Sequence, residues 1–110
     1  MFETNESHGS LDLRPIKVPT RKEDIYRAAR EMVADLDWEV VGSDDEKLEI
    51  TCRKKGGLLG GTATIQILVD GPEGIPSATV NVKSTTEGGL LNRDKANVAE
   101  FVKPFHRRVC

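Results

Sequence analysis

The sequence predicts an α+β two-layer sandwich, in which an antiparallel sheet of about five strands carries two helices on one face. Two patterns support this prediction. Four consecutive segments alternate apolar and polar residues with the period of a half-buried strand, and two others repeat apolar residues at helical spacing. The order along the chain is β-α-β-β-β-β-α. Because such strands have one apolar and one polar face, we expect both helices on the apolar face and water on the other.

The start of the chain divides into a tail and a strand. Residues 1–10 are rich in polar residues and Gly, and we expect them to form a flexible tail outside a single domain of residues 11–110. Apolar residues nearly alternate over 11–19, and the alternation shifts at Pro15. This pattern predicts an edge strand with a bulge.

Residues 20–36 predict the first helix. Thr20 and Glu23 have the spacing of a capping box, in which each side chain binds the backbone amide of the other residue. The apolar residues recur three or four positions apart, which places them on one face. These residues are Ile25, Ala29, Met32, Val33 and Leu36.

Four strands are predicted next, over residues 38–42, 47–53, 62–69 and 78–85. Alternation assigns one set of side chains to the core and puts Glu49, Gln66 and Asn81 on the other face. The residues expected in the core include Leu48, Ile50, Cys52, Ile65, Ile67, Val80 and Val82.

The last helix is expected to begin near Asn92, which is a suitable N-cap residue. Val98, Val102 and Phe105 follow at helical spacing and predict its buried face. Pro104 is expected to kink or end this helix near residue 103, because proline cannot donate the helical hydrogen bond.

Composition limits the classes of function. The chain has 110 residues, of which 37% are hydrophobic and 31% charged, and its formal net charge is -2. These values are typical of one soluble globular domain. They argue against general nucleic-acid binding, which depends on an excess of Lys and Arg.

The chain has no apolar run of the roughly 20 residues that a membrane-spanning helix needs. Its polar, acidic start does not look like a signal peptide. Cys52 and Cys110 form no disulfide framework and are expected to be free thiols. We therefore expect a cytoplasmic protein.

Two Gly-rich segments invite comparison with phosphate-binding loops. The first lies in KKGGLLGGTATIQI, residues 54–67, and the second is GGLL, residues 88–91. A phosphate loop needs a Lys and a Ser or Thr after its last glycine, where this chain has Thr62 and Ala63. It also leads into a helix, whereas this segment leads into a predicted strand. We predict neither a nucleotide site nor any other cofactor.

The predicted topology brings the two loops together. In a meander, strands 47–53 and 78–85 run parallel to each other, so both loops leave the same end of the sheet. Their leucines either fold inward and cap the core or form an exposed apolar patch with a basic rim. Such a patch would bind a protein partner, an anionic surface or a small acidic ligand. The candidate binding residues are Lys54, Lys55, Leu58, Leu59, Leu90, Leu91 and Arg93.

No group of residues forms a recognisable catalytic or metal site. His8 and His106 have no evident nucleophile nearby in the sequence, and Cys52 is expected to point inward with a raised pKa. The acidic run at 44–46 is typical of a solvated turn rather than of a set of metal ligands. No catalytic residue and no metal ligand are therefore assigned.

Residues 82–101, VKSTTEGGLLNRDKANVAEF, resemble part of an uncharacterised bacterial family of small α+β domains. In that family the last strand ends in Arg-Ser-x-Ser-Arg, and a turn with Gly, Asp and Asn leads into the final helix. The residues in those places are Lys83, Ser84, Thr86, Glu87, Gly89 and, after a one-residue gap, Asn97. The pattern of the first helix and residues 38–53 is also similar. The resemblance implies the fold and no activity, and the family's two arginines are replaced here by Lys83 and Glu87.

The sequence thus favours a binding or protein-interaction module over an enzyme, since a complete fold pattern carries no catalytic set. The alternative is a helix-grip domain that binds or converts a small molecule in a pocket between sheet and helices. A pocket above the roughly 300 Å³ of ordinary ligand sites is hard to line with five aromatic residues. A deep, partly polar cavity would favour this alternative.

Overall fold

The computed structural model of the protein describes residues 1–55, 60–89 and 92–110. The predicted α+β fold is confirmed: one antiparallel sheet of six strands packs against two helices. The elements in chain order are β1 (Phe2–Glu3), β2 (Ile16–Val18), α1 (Lys22–Asp35), β3 (Glu39–Asp44), β4 (Glu49–Lys55), β5 (Thr62–Asp70), β6 (Ala78–Glu87) and α2 (Asp94–Val109).

The strands β3 to β6 form the predicted meander, in which each strand pairs antiparallel with the next. One edge of the sheet is therefore β3. At the other edge, β1 and β2 both pair with β6, one after the other along its length.

The core lies between the sheet and both helices and contains the predicted alternating set from β4 to β6. Ile65 and Ile67 are fully buried, whereas Glu49, Gln66 and Asn81 on the other face are only half-buried. The predicted strand register is therefore confirmed. Among the helical residues expected in the core, Leu36 alone is half-buried rather than buried.

The N-terminal segment differs from the predicted tail, because β1 continues the sheet along the second half of β6. Phe2 lies opposite Ser84, and the backbone amide of Thr4 donates to the Val82 carbonyl over 2.9 Å. The ten-residue β6 explains this arrangement: β2 pairs only with its first three residues, so the rest of that edge needs partners. The predicted strand 11–19 is correspondingly shorter, and residues Leu11–Leu13 form a 3₁₀ helix.

The predicted capping is wrong for α1, whereas α2 starts close to the predicted Asn92. Helix α1 begins after Arg21, which makes no side-chain capping bond, so the capping box of Thr20 and Glu23 was wrong. Helix α2 begins at Asp94, whose backbone amide donates to Asn92 Oδ1 over 2.9 Å. Asn92 thus binds a free amide of the first turn, as a capping residue does.

Helix α2 does not end near residue 103 but continues through Pro104 to Val109. Phe105 is fully buried, and Val109 packs against the core as well. Burial of these side chains stabilises the last turns despite the backbone hydrogen bond that proline cannot make.

Candidate functional site

The two Gly-rich segments leave the same end of the sheet, as the meander topology predicted. Lys55 at the end of β4 pairs with Thr62 at the start of β5, and Thr62 pairs with Glu87 at the end of β6. The backbones also touch: a Cβ atom on Gly61 would lie 2.4 Å from the carbonyl oxygen of Gly88. Gly61 has a φ of +63°, a left-handed conformation that glycine adopts without strain.

A cavity of about 220 Å³ lies at this end of the sheet, between the ends of the strands and α2. All three cationic residues predicted for the site line it. The lining residues are Lys54, Lys55, Gly60, Ala63, Thr86, Arg93, Ala96, Asn97 and Glu100. The four predicted leucines, Leu58, Leu59, Leu90 and Leu91, lie outside the described residues.

Lys54 is held in place by α2. Its Nζ donates to Asn97 Oδ1 over 3.2 Å and forms an ion pair with the carboxylate of Glu100. The same Nζ lies 5.8 Å from the centre of the Trp38 ring. The charge of Lys54 is therefore largely neutralised within the protein.

Trp38 lies near the site, but it is part of the core, with 7% of its surface exposed. Its Nε1 donates to Glu100 Oε1 over 3.3 Å. Glu100 thus accepts hydrogen bonds from both Trp38 and Lys54, which fixes its carboxylate at the wall of the cavity.

Lys55 and Arg93, the other two cationic residues of the site, differ from Lys54 in their exposure and pairing. Lys55 and Arg93 are both exposed, and neither forms an ion pair with any of the described residues. Their charges are therefore available to an anionic group that approaches this end of the sheet.

A buried polar network next to the cavity was not predicted. Asp94 is 2% exposed, and its Oδ1 accepts hydrogen bonds from Ser84 Oγ over 2.8 Å and from Thr86 Oγ1 over 2.5 Å. Asn97 Nδ2 donates to Ser84 Oγ over 3.3 Å, which links this network to Lys54. The network holds the first turn of α2 against the end of β6.

The second carboxylate oxygen of Asp94 lies 3.0 Å from the amino nitrogen of Met1. The two form an ion pair, although Oδ2 has no hydrogen bond of good geometry within the described chain. Burial works against the charge of Asp94, but the donors Thr86 and Ser84 and the amino group hold its pKa below the usual range. Asp94 is therefore a buried carboxylate that stays ionised.

A sequence signal for this network was present in β6. Ser84 and Thr86 continue the alternation of Val80 and Val82, so both belong to the face that the helices cover. Buried hydroxyl groups need hydrogen-bond partners, and Asp94 in the first turn of the next helix supplies one.

Reactive side chains are few in the described part of the chain. Cys52 is fully buried, and burial raises the pKa of its thiol to about 11, which confirms the inward orientation expected for it. Within residues 1–55, 60–89 and 92–110, no group of three or more His, Cys, Asp or Glu side chains could hold a metal ion. None of the helices there is long and apolar enough to cross a membrane.

The sequence matches no protein-family model and no curated protein. The resemblance to the bacterial α+β family therefore stays a prediction.

Proposed function

We propose that the protein is a non-enzymatic binding module that recognises an anionic partner at the Gly-rich end of its sheet. One observation carries the proposal: Lys55 and Arg93 flank a cavity of about 220 Å³ and have no ion pair among the described residues. The nearby Lys54 is already paired with Glu100, so two positive charges remain for a partner.

The proposal includes the four leucines predicted for the two loops, Leu58, Leu59, Leu90 and Leu91. They lie between the basic residues in the sequence, and apolar side chains next to cations suit an acidic protein segment or an anionic lipid surface. General nucleic-acid binding is not part of this proposal, given the net charge of -2. A cytoplasmic setting fits the two free cysteines.

A vesicle-binding assay with matched variants tests the proposal. The double variant Lys55→Gln, Arg93→Gln should bind vesicles of anionic lipid at least about ten-fold more weakly, since each basic residue near such a surface contributes about 1 kcal/mol. The control is Lys47→Gln, Arg107→Gln, which removes two exposed charges elsewhere.

An acidic peptide replaces the vesicles in a second arm of this experiment, which separates a protein partner from a lipid surface. Changing Leu58 and Leu90 to Ser should weaken binding of the true partner and leave the melting temperature nearly unchanged. If neither probe binds, or if the basic and control variants bind alike, the proposal is wrong.

The cavity also favours a second candidate, which is a small-molecule site of helix-grip type. It lies between the sheet and α2. Its lining includes the polar side chains of Thr86 and Asn97 and charged side chains such as Lys55 and Arg93. Its volume is below the roughly 300 Å³ of ordinary ligand sites, so it would suit a small anion. Saturable binding of inorganic phosphate by the isolated protein, without vesicle or peptide binding, would favour this candidate.

A further inference from the structure

The two edges of the sheet differ in whether their backbone groups are paired. The far side of β6 is covered by β1 and β2, whereas the outer side of β3 pairs with none of the described residues. All six residues of β3 are exposed. Its outer edge therefore presents unpaired backbone donors and acceptors, to which another strand can bind.

An apolar groove of about 310 Å³ lies beside this edge, between α1 and β3. Its lining residues are Arg30, Ala34, Trp38, Val40, Ser43 and Ile50. Val40 lies opposite Cys52, and Ser43 lies opposite Ile50, so both belong to the helix-covered face of the sheet. Val40 is nevertheless 52% exposed, because the helices do not cover this margin. The groove can take aliphatic side chains from a neighbouring strand.

The other face of β3 is acidic at both ends. Glu39 lies opposite Arg53, and Asp44 lies opposite Glu49, so both acids are on the polar face. A bulge between Val40 and Gly42 explains how residues five positions apart share one face. The backbone amides of Lys47 and Glu46 donate to Asp44 and hold its pKa below the usual range. Asp44 is therefore ionised at neutral pH.

These charges argue against a second copy of the chain as the occupant. If two β3 strands paired antiparallel over their whole length, Glu39 of each copy would lie opposite Asp44 of the other. Like charges directly opposite each other destabilise a strand pair. Basic residues at those two places of a partner segment would instead lie opposite acidic ones, and opposite charges stabilise a strand pair.

We propose that β3 binds an extended segment of another protein as an added strand, with the pattern basic, apolar, any residue, apolar, basic. The spacing follows the register that β4 has with β3, in which the bulge between Val40 and Gly42 sets two residues of β3 against one residue of the neighbouring strand. The outer basic residues then face Glu39 and Asp44, and the two apolar residues face the groove at Val40 and Ser43. The lining of this groove shares no residue with the cavity at the Gly-rich end of the sheet.

A peptide titration tests this inference. The probe is a capped peptide containing Lys-Val-Thr-Val-Lys, and the controls carry Glu-Val-Thr-Val-Glu or Lys-Ser-Thr-Ser-Lys. Trp38 is the only tryptophan and lines the groove, so its fluorescence reports occupancy. We expect saturable binding of the first peptide alone, with amide shifts in the NMR spectrum confined to β3 and the groove.

Matched variants test the charge pattern. Glu39→Gln with Asp44→Asn removes both charges and keeps the acceptor that Asp44 supplies to the turn. Affinity should fall about 2- to 30-fold, since each of the two cross-strand pairs contributes about 0.2 to 1 kcal/mol. The control is Glu23→Gln with Asp24→Asn on the exposed face of α1.

Three results would overturn the inference: no saturable binding up to about 1 mM peptide, equal binding of the acidic peptide, or equal affinity of the two double variants. Concentration-dependent dimerisation with amide shifts in β3 would also overturn it, because the edge would then belong to a second copy.

Discussion

Replacing Gly61 with Ala tests whether the two Gly-rich segments touch. The added Cβ would lie 2.4 Å from the carbonyl oxygen of Gly88 and 2.5 Å from that of Glu87. A carbon and an oxygen atom normally approach no closer than about 3.3 Å. The strand ends of β5 and β6 would therefore have to move apart by about 0.9 Å, at the place where Thr62 pairs with Glu87.

Two costs add in this variant. A left-handed conformation costs a non-glycine residue about 1 to 2 kcal/mol, and overpacking against backbone adds about 1 to 3 kcal/mol. Alanine also lowers the conformational entropy of the unfolded chain, which offsets about 0.4 to 1 kcal/mol of this loss. We expect Gly61→Ala to lower the free energy of unfolding by about 1 to 4.6 kcal/mol, which for a chain of this size lowers the melting temperature by about 4 to 18 °C.

Gly74 provides a matched control. Its φ is +70°, but a Cβ there would meet no atom within 4 Å. Gly74→Ala therefore carries only the conformational cost and should lose about 0 to 1.6 kcal/mol. Both variants are measured by urea and thermal unfolding. Equal losses for the two variants, within about 0.5 kcal/mol, would refute the contact between the loops.

Two further predictions concern the core and the buried carboxylate. Ile65→Ala should cost about 2 to 5 kcal/mol in denaturant unfolding, because it leaves a cavity at a fully buried site, and Leu68→Ala on the exposed face of the same strand should cost under about 1 kcal/mol. Similar losses would contradict the assigned faces. Asp94→Asn should lower stability at pH 7 by about 1 to 3 kcal/mol through the loss of charge-assisted hydrogen bonds. Because the folded-state pKa of Asp94 is depressed, the wild-type advantage should persist above about pH 4 and shrink as the pH falls further. An advantage that is constant down to pH 2 would contradict an ionised Asp94.

Much of the fold followed from local periodicity. Alternation identified the buried faces of β4, β5 and β6, because a strand that covers a core has only one register that buries its apolar side chains. It did not reveal the end of β3. Ser43 and Asp44 resemble turn residues, yet pairing with Ile50 and Glu49 extends the strand across them. Cross-strand hydrogen bonds here outweigh the turn preference of the residues.

The candidate site could be predicted only in part. Meander topology places the strand ends together and so brought Lys54, Lys55 and Arg93 to one cavity. The ion pair of Lys54 with Glu100 depends on how α2 lies across the sheet, which spacing along the chain does not specify. For the same reason the sequence overstated the free positive charge at this end.

The distribution of charge matters more to this protein than its total. A net charge of -2 argues against a general polyanion-binding role, but it is the sum of regions that differ in sign. Lys55 and Arg93 lie at the Gly-rich end of the sheet, while Glu39 and Asp44 flank the open edge of β3. An anionic partner is attracted to the first region and a basic segment to the second. The two proposed surfaces therefore select different partners, and a charge change at one should leave binding at the other unaffected.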